Sequence, residues 1–138
     1  MKNLLRIIPL MMIVILFFAG CSTTDTYESL YDEYCTKITD TSPFILEEFR
    51  SEAEPINDNS RALSSLYNKK MEEFAKIPGE CAIKMGAVMV TNQDDISICK
   101  EWTEKIFSFY QKEVDKLSNA YLDMLTDIIS WYRVVLEN

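Results

Sequence analysis

FSFYQKEVDKLSNAYLDMLTDIISWYRVVL, residues 107–136, decides the fold. Phe107, Tyr110, Val114, Leu117, Tyr121, Leu125, Ile128, Tyr132 and Val135 recur at spacings of three and four. That is the period of one helix face. Ser108, Lys112, Lys116, Asn119, Asp123, Thr126, Ser130, Arg133 and Glu137 fill the opposite face. Trp102, Ile106, Phe109, Met124, Ile129 and Trp131 fall between the two, so the apolar arc is wider than the seam of a helix pair. Such an arc predicts packing against two neighbours. Asn92-Gln93-Asp94-Asp95 opens this helix, with acids where the helix dipole favours them. It runs to about Leu136, close to 65 Å if straight, at ~1.5 Å per residue.

Upstream the periodicity is also helical. Tyr27, Leu30, Tyr31, Tyr34, Cys35 and Ile38 share one face, and Asp25 with Glu28 has the spacing of a capping box. Thr39-Asp40-Thr41-Ser42 reads as a break, and Ser42-Pro43 as a new N-cap and first helical position. Phe49, Ala53, Ile56, Ser60, Leu63, Tyr67, Phe74 and Ile77 then keep one register, interrupted by Lys70. Pro55 kinks or splits this run, and Asn57-Asp58-Asn59-Ser60 looks like a fresh start, which favours two segments. Pro78-Gly79 reads as a stop. ECAIKMGAVMV, residues 80–90, suits a short buried helix or a strand. A lone strand would lack a partner, so a helix is expected. Three Gly and four Pro leave few turn residues for an all-β chain. The expected fold is all-α: a small antiparallel bundle with a long C-terminal helix, forming a single domain over residues 26–138.

The N-terminus has a different character. Lys2 and Arg6 are basic, Ile7 to Ala19 is apolar apart from Pro9, and Ala19-Gly20 are small. This is the layout of a cleaved signal peptide. The apolar run is shorter than the roughly 20 residues a membrane span needs. Phe18-Ala19-Gly20-Cys21 resembles the lipobox of bacterial lipoproteins, with Phe replacing the commoner Leu at its first position. The resemblance covers residues 1–21. It implies removal of residues 1–20, a diacylglycerol on the Cys21 thiol and acylation (palmitate, for example) of the new amino group. Residues 21–25 would then form a short tether. One acyl chain anchors only marginally, so several are needed. Ser22 lacks the Asp that favours inner-membrane retention in Gram-negative relatives. The resemblance therefore implies an outer-membrane protein facing the periplasm.

Removing residues 1–20 leaves 118 residues, enough for one core. They carry all 22 acidic residues and 12 of the 14 basic ones, a formal charge of −10. That balance disfavours nucleic acid as a partner. With Cys21 lipidated, Cys35, Cys81 and Cys99 remain, and an oxidising compartment permits one bridge among them. A hairpin centred on residue 90 would face Cys81 with Cys99. Closing that loop is worth about 3 kcal/mol. Cys35 would stay a buried thiol, and the rival is Cys35 bridging to Cys81 or Cys99.

The chain has no histidine, so it lacks Ser-His and Cys-His nucleophiles and histidine metal ligands. Glu47-Glu48, Glu72-Glu73 and Asp94-Asp95 are adjacent pairs, but neighbours on a helix diverge. No catalytic residue, metal site or cofactor is expected. Trp102, Phe109 and Trp131 are core residues or, alternatively, anchors for a partner helix. The expected function is a non-enzymatic, lipid-anchored protein-interaction module, held to the membrane by its N-terminus and binding another envelope protein. In general plan it is similar to pilotins and to exclusion or immunity lipoproteins. The alternatives are a small carboxylate-dependent envelope hydrolase and a carrier of apolar small molecules.

Overall fold

The computed structural model describes residues 25–136. Three helices account for nearly all of them: α1 (Tyr27–Ala53), α2 (Ser60–Asn92) and α3 (Ile96–Leu136), with a 3-10 turn, Glu54–Ile56, between α1 and α2. The all-α bundle with a long C-terminal helix is the observed architecture. Each helix packs on both others.

Cross-helix contacts give the directions. Lys84 pairs with Glu33 at 3.8 Å and Lys70 with Glu48 at 2.9 Å, so α2 runs antiparallel to α1. The hydroxyls of Ser64 and Tyr121 lie 2.6 Å apart, and those of Tyr67 and Ser118 2.8 Å apart, so α3 runs antiparallel to α2. The topology is up-down-up. One core cluster, around Leu30, Tyr34, Ile38, Phe74, Cys81, Met85 and Ile106, fills the end near the α2–α3 turn. A second, around Phe49, Leu63, Leu117 and Ile128, fills the other end.

Local signals explain some boundaries. Thr26 caps α1: its hydroxyl accepts from the Ser29 amide at 3.1 Å, and Ser29 Oγ accepts from the Thr26 amide at 2.9 Å. The reciprocal box is therefore Thr26 with Ser29, one residue on from Asp25 and Glu28. Pro55 sits in the 3-10 turn and Asn59 caps α2, so this run does split in two. Gln93 ends α2 in the left-handed conformation, φ 58°, its amide donating to the Met89 carbonyl.

Two expected boundaries are absent. α1 passes through residues 39–42 without a break, and Pro43 lies inside it. Both Thr39, whose carbonyl loses a donor to Pro43, and Pro43 itself are exposed, so water can satisfy that carbonyl. α2 likewise passes through Pro78-Gly79, with the Pro78 ring buried on its inner face. Residues 80–90 are the second half of this helix and not an element of their own. Apolar residues continue on both sides of each proline, and bundle packing outweighs the local breaker. On α3, Phe107 is exposed and Ile106 takes the inward position.

Cys35, Cys81 and Cys99 are all free, so the expected Cys81–Cys99 bridge is not formed. The hairpin is centred farther along than residue 90, at the turn between Asn92 and Ile96. The Thr103 hydroxyl accordingly meets Met85 Sδ at 4.0 Å. In that register Cys99 faces the neighbourhood of Met89, about 12 Å along the helix from Cys81 at ~1.5 Å per residue. The Cys81 thiol instead points to the Leu30 carbonyl on α1, at 3.9 Å. Burial pushes this thiol up to about 11. It packs as a small apolar group and is poorly suited to react.

Candidate functional site

The lengths of the helices create the site. With Ser64 opposite Tyr121, α2 begins opposite the last third of α3. Roughly two turns of α3 therefore extend past the α1–α2 turn. The space between this overhang and the turn is a cleft of about 760 Å³, open to solvent. Arg50 of α1 and Glu54, Asn57 and Asp58 of the turn form one wall. Met124, Asp127, Ile128 and Trp131 of α3 form the other.

The cleft is apolar at its base and acidic at its rim. Ile128 is buried and Met124 half-buried, whereas Trp131 is 59% exposed. Among the described lining residues, Glu54, Asp58 and Asp127 face the guanidinium of Arg50, a net negative set. All three carboxylates are exposed.

The three aromatic candidates do not come together. Trp102 lies at the other end of α3, half-buried. It stacks on Tyr27 with ring centroids 6.3 Å apart, meets Tyr31 edge-on at 5.8 Å, and carries the Lys105 ammonium 4.1 Å above its ring. Phe109 packs against the same core cluster. Both are held by the bundle, and only Trp131 stands at a cleft. Cys21 lies outside the described residues. Met124, Ile128 and Asp127 were visible in the sequence as one stretch of helix. The signal that joins them to Arg50, Glu54 and Asp58 is the helix register, which periodicity alone does not supply.

The adjacent acid pairs are used structurally. Glu48, Glu52 and Glu73 surround the buried Lys70 ammonium at 2.9, 2.7 and 3.8 Å. Burial pushes that ammonium down, but its hydrogen bonds to Glu52 and Glu48 outweigh burial and leave it above the ordinary lysine value. The hydrogen bond to Lys70 holds the Glu52 carboxyl below its ordinary value. Asp95 accepts the Ser97 amide at 2.8 Å and helps start α3. Among the described residues no group of His, Cys, Asp and Glu is arranged to hold a metal ion, and no helix is long and apolar enough to cross a membrane.

The class so defined is an up-down-up three-helix bundle with an acidic-rimmed apolar cleft at one end. No family model, curated protein or solved structure matches the chain.

Proposed function

We propose that the chain is a lipid-anchored lipoprotein of the bacterial envelope whose cleft binds another protein. The observation that carries this reading is the placement of Trp131. A large aromatic side chain, 59% exposed, stands beside Met124 and Ile128 in an open cleft, which is how interface anchors are built. The lipobox-like Phe18-Ala19-Gly20-Cys21 supports the anchor: signal peptide removed, Cys21 acylated, and Ser22 directing the protein to the outer membrane, facing the periplasm. α1 starts at the end away from the cleft. Its 27 residues place the cleft about 40 Å farther from the anchor, at ~1.5 Å per residue. The protein would hold a docking site out from the bilayer, a role of the pilotin, exclusion or immunity kind. In this reading the site acts by binding, with its apolar base and acidic rim as the contact surface.

Two measurements test this. Labelled palmitate should enter the native chain and not a Cys21→Ala chain, and persistent label in the variant would sink the anchor. A photo-crosslinker at Trp131, activated in intact envelopes, should give one discrete adduct, and the same probe at Glu101 should give none. Equal adducts at both positions would remove the cleft from the proposal.

A further inference from the structure

The end of the bundle opposite the cleft carries aliphatic side chains that its own core does not use. Val90 lies in the last turn of α2, and Ile96 and Ile98 lie in the first turn of α3. They are 72%, 73% and 41% exposed. All three flank the Gln93 turn. Side chains lean toward the N-terminus of their helix, so Ile96 and Ile98 lean out past the end of the bundle, while Val90 leans back along α2 beside them. This is also where the chain enters, because Tyr27, the first residue of α1, stacks on Trp102 near the start of α3.

The position of Cys21 says what meets this tip. Thr26 caps α1, and Cys21 lies five residues before it. Five residues reach at most about 18 Å even when fully extended. An acyl anchor on Cys21 therefore holds the tip within the headgroup region or just above it. The tip's charges select among lipids. Asp94 and Asp95 sit between Val90 and Ile96, so an anionic surface would repel it.

We propose that the α2–α3 tip is a second membrane contact, with Ile96 and Ile98 seated shallowly among zwitterionic headgroups beside the lipid anchor and Val90 at the edge of the contact. This rests on the lipid-anchor reading above. Anchor and tip together make two points of attachment, which limit the tilt of the bundle and keep the cleft turned away from the bilayer.

Depth-dependent quenching tests it on the full, acylated chain in phosphatidylcholine vesicles with brominated acyl chains. Ile96→Trp and Leu122→Trp are each placed in a Trp102→Phe, Trp131→Phe background. Emission from Ile96→Trp should fall about two-fold, as for an interfacial tryptophan. Leu122→Trp, exposed and far along α3, should be unchanged. If the background does not fold, Ile96→Trp is read by difference on the otherwise native chain. The mass of the N-terminal peptide separates the two readings. Acylated Cys21 with both tryptophans unquenched overturns the tip contact and leaves the anchor standing. Unmodified Cys21 overturns the anchor and the tip's placement with it. Replacing part of the phosphatidylcholine by phosphatidylglycerol should weaken the quenching, and an increase would overturn the lipid preference.

Discussion

The two tryptophans of α3 stand at opposite ends of one bundle and do different work. Trp102 is wedged among Tyr27, Tyr31 and the Lys105 ammonium, closing the end where the chain enters. Trp131 stands beside an open cleft at the far end. Residue type and helical phase do not distinguish them. The difference is how the neighbours meet that level of α3: the bundle packs against Trp102, whereas beside Trp131 the end of α1 and the α1–α2 turn leave an open cleft. The comparison would break first at Trp102. Trp102→Ala removes two ring contacts and a cation–π contact, and should cost about 3 kcal/mol, the low end for a large aromatic in a core. A fall in the urea midpoint at constant slope checks it. A loss below about 1 kcal/mol would mean that this end is no better closed than the other.

Between the ends lies Lys70, buried against three carboxylates. Lys70→Ala leaves a hole and takes the buried cation away from Glu48, Glu52 and Glu73, and should cost about 2 kcal/mol in the same urea assay. Lys70→Met keeps the volume without the charge and should cost less than half as much. If Met is as damaging as Ala, the ion pairs matter more than the packing of the lysine stem.

Much of this fold was legible in the sequence, and the failures are informative. The stripe from Tyr110 to Ile128 gave the long helix because apolar spacing is a local property. Pro55 and Asn59 marked a true boundary, since Asn57-Asp58-Asn59 supplies turn and cap residues beside the proline. Pro43 and Pro78 were false boundaries, because the apolar phase carries on across each and tertiary packing decides. The cysteine pairing failed for a related reason. Pairing depends on where the hairpin turns, and a turn centred on residue 90 falls inside α2, which continues to Asn92. The cleft was invisible because it follows from a difference in helix reach, known only once the register is. Lys70 reads in the sequence only as an interruption of the stripe, and the structure shows it buried in register with that stripe.

At the closed end, pH offers a smaller effect. Burial, with the Asp94 carboxylate nearby, pushes the Tyr27 phenol up to about 12. A raised folded value means that its contribution is complete below the ordinary tyrosine range near 10, and is lost as pH climbs through 12. Lys70, also raised, loses its contribution in the same direction. Stability should therefore fall between about pH 10 and 12, and Tyr27→Phe should flatten part of that fall. Urea midpoints at several alkaline pH values check this. An unchanged slope in Tyr27→Phe would show that Tyr27 does not titrate with unfolding.

The smallest expected cost of an alanine substitution is at the open end, and it sharpens the comparison most. Trp131→Ala deletes a side chain that is 59% exposed at an open cleft, and should cost about 1 kcal/mol, well below the loss at Trp102. If the cleft is a docking site, the same substitution should abolish the crosslinked adduct obtained from a probe placed at the neighbouring Asp127. Binding and stability would then separate at Trp131 and stay joined at Trp102, where the loss of fold removes binding as well. A Trp131→Ala chain that unfolds as easily as Trp102→Ala would make both tryptophans structural. A Trp131→Ala chain that is stable and still crosslinks would place the docking surface elsewhere on the bundle.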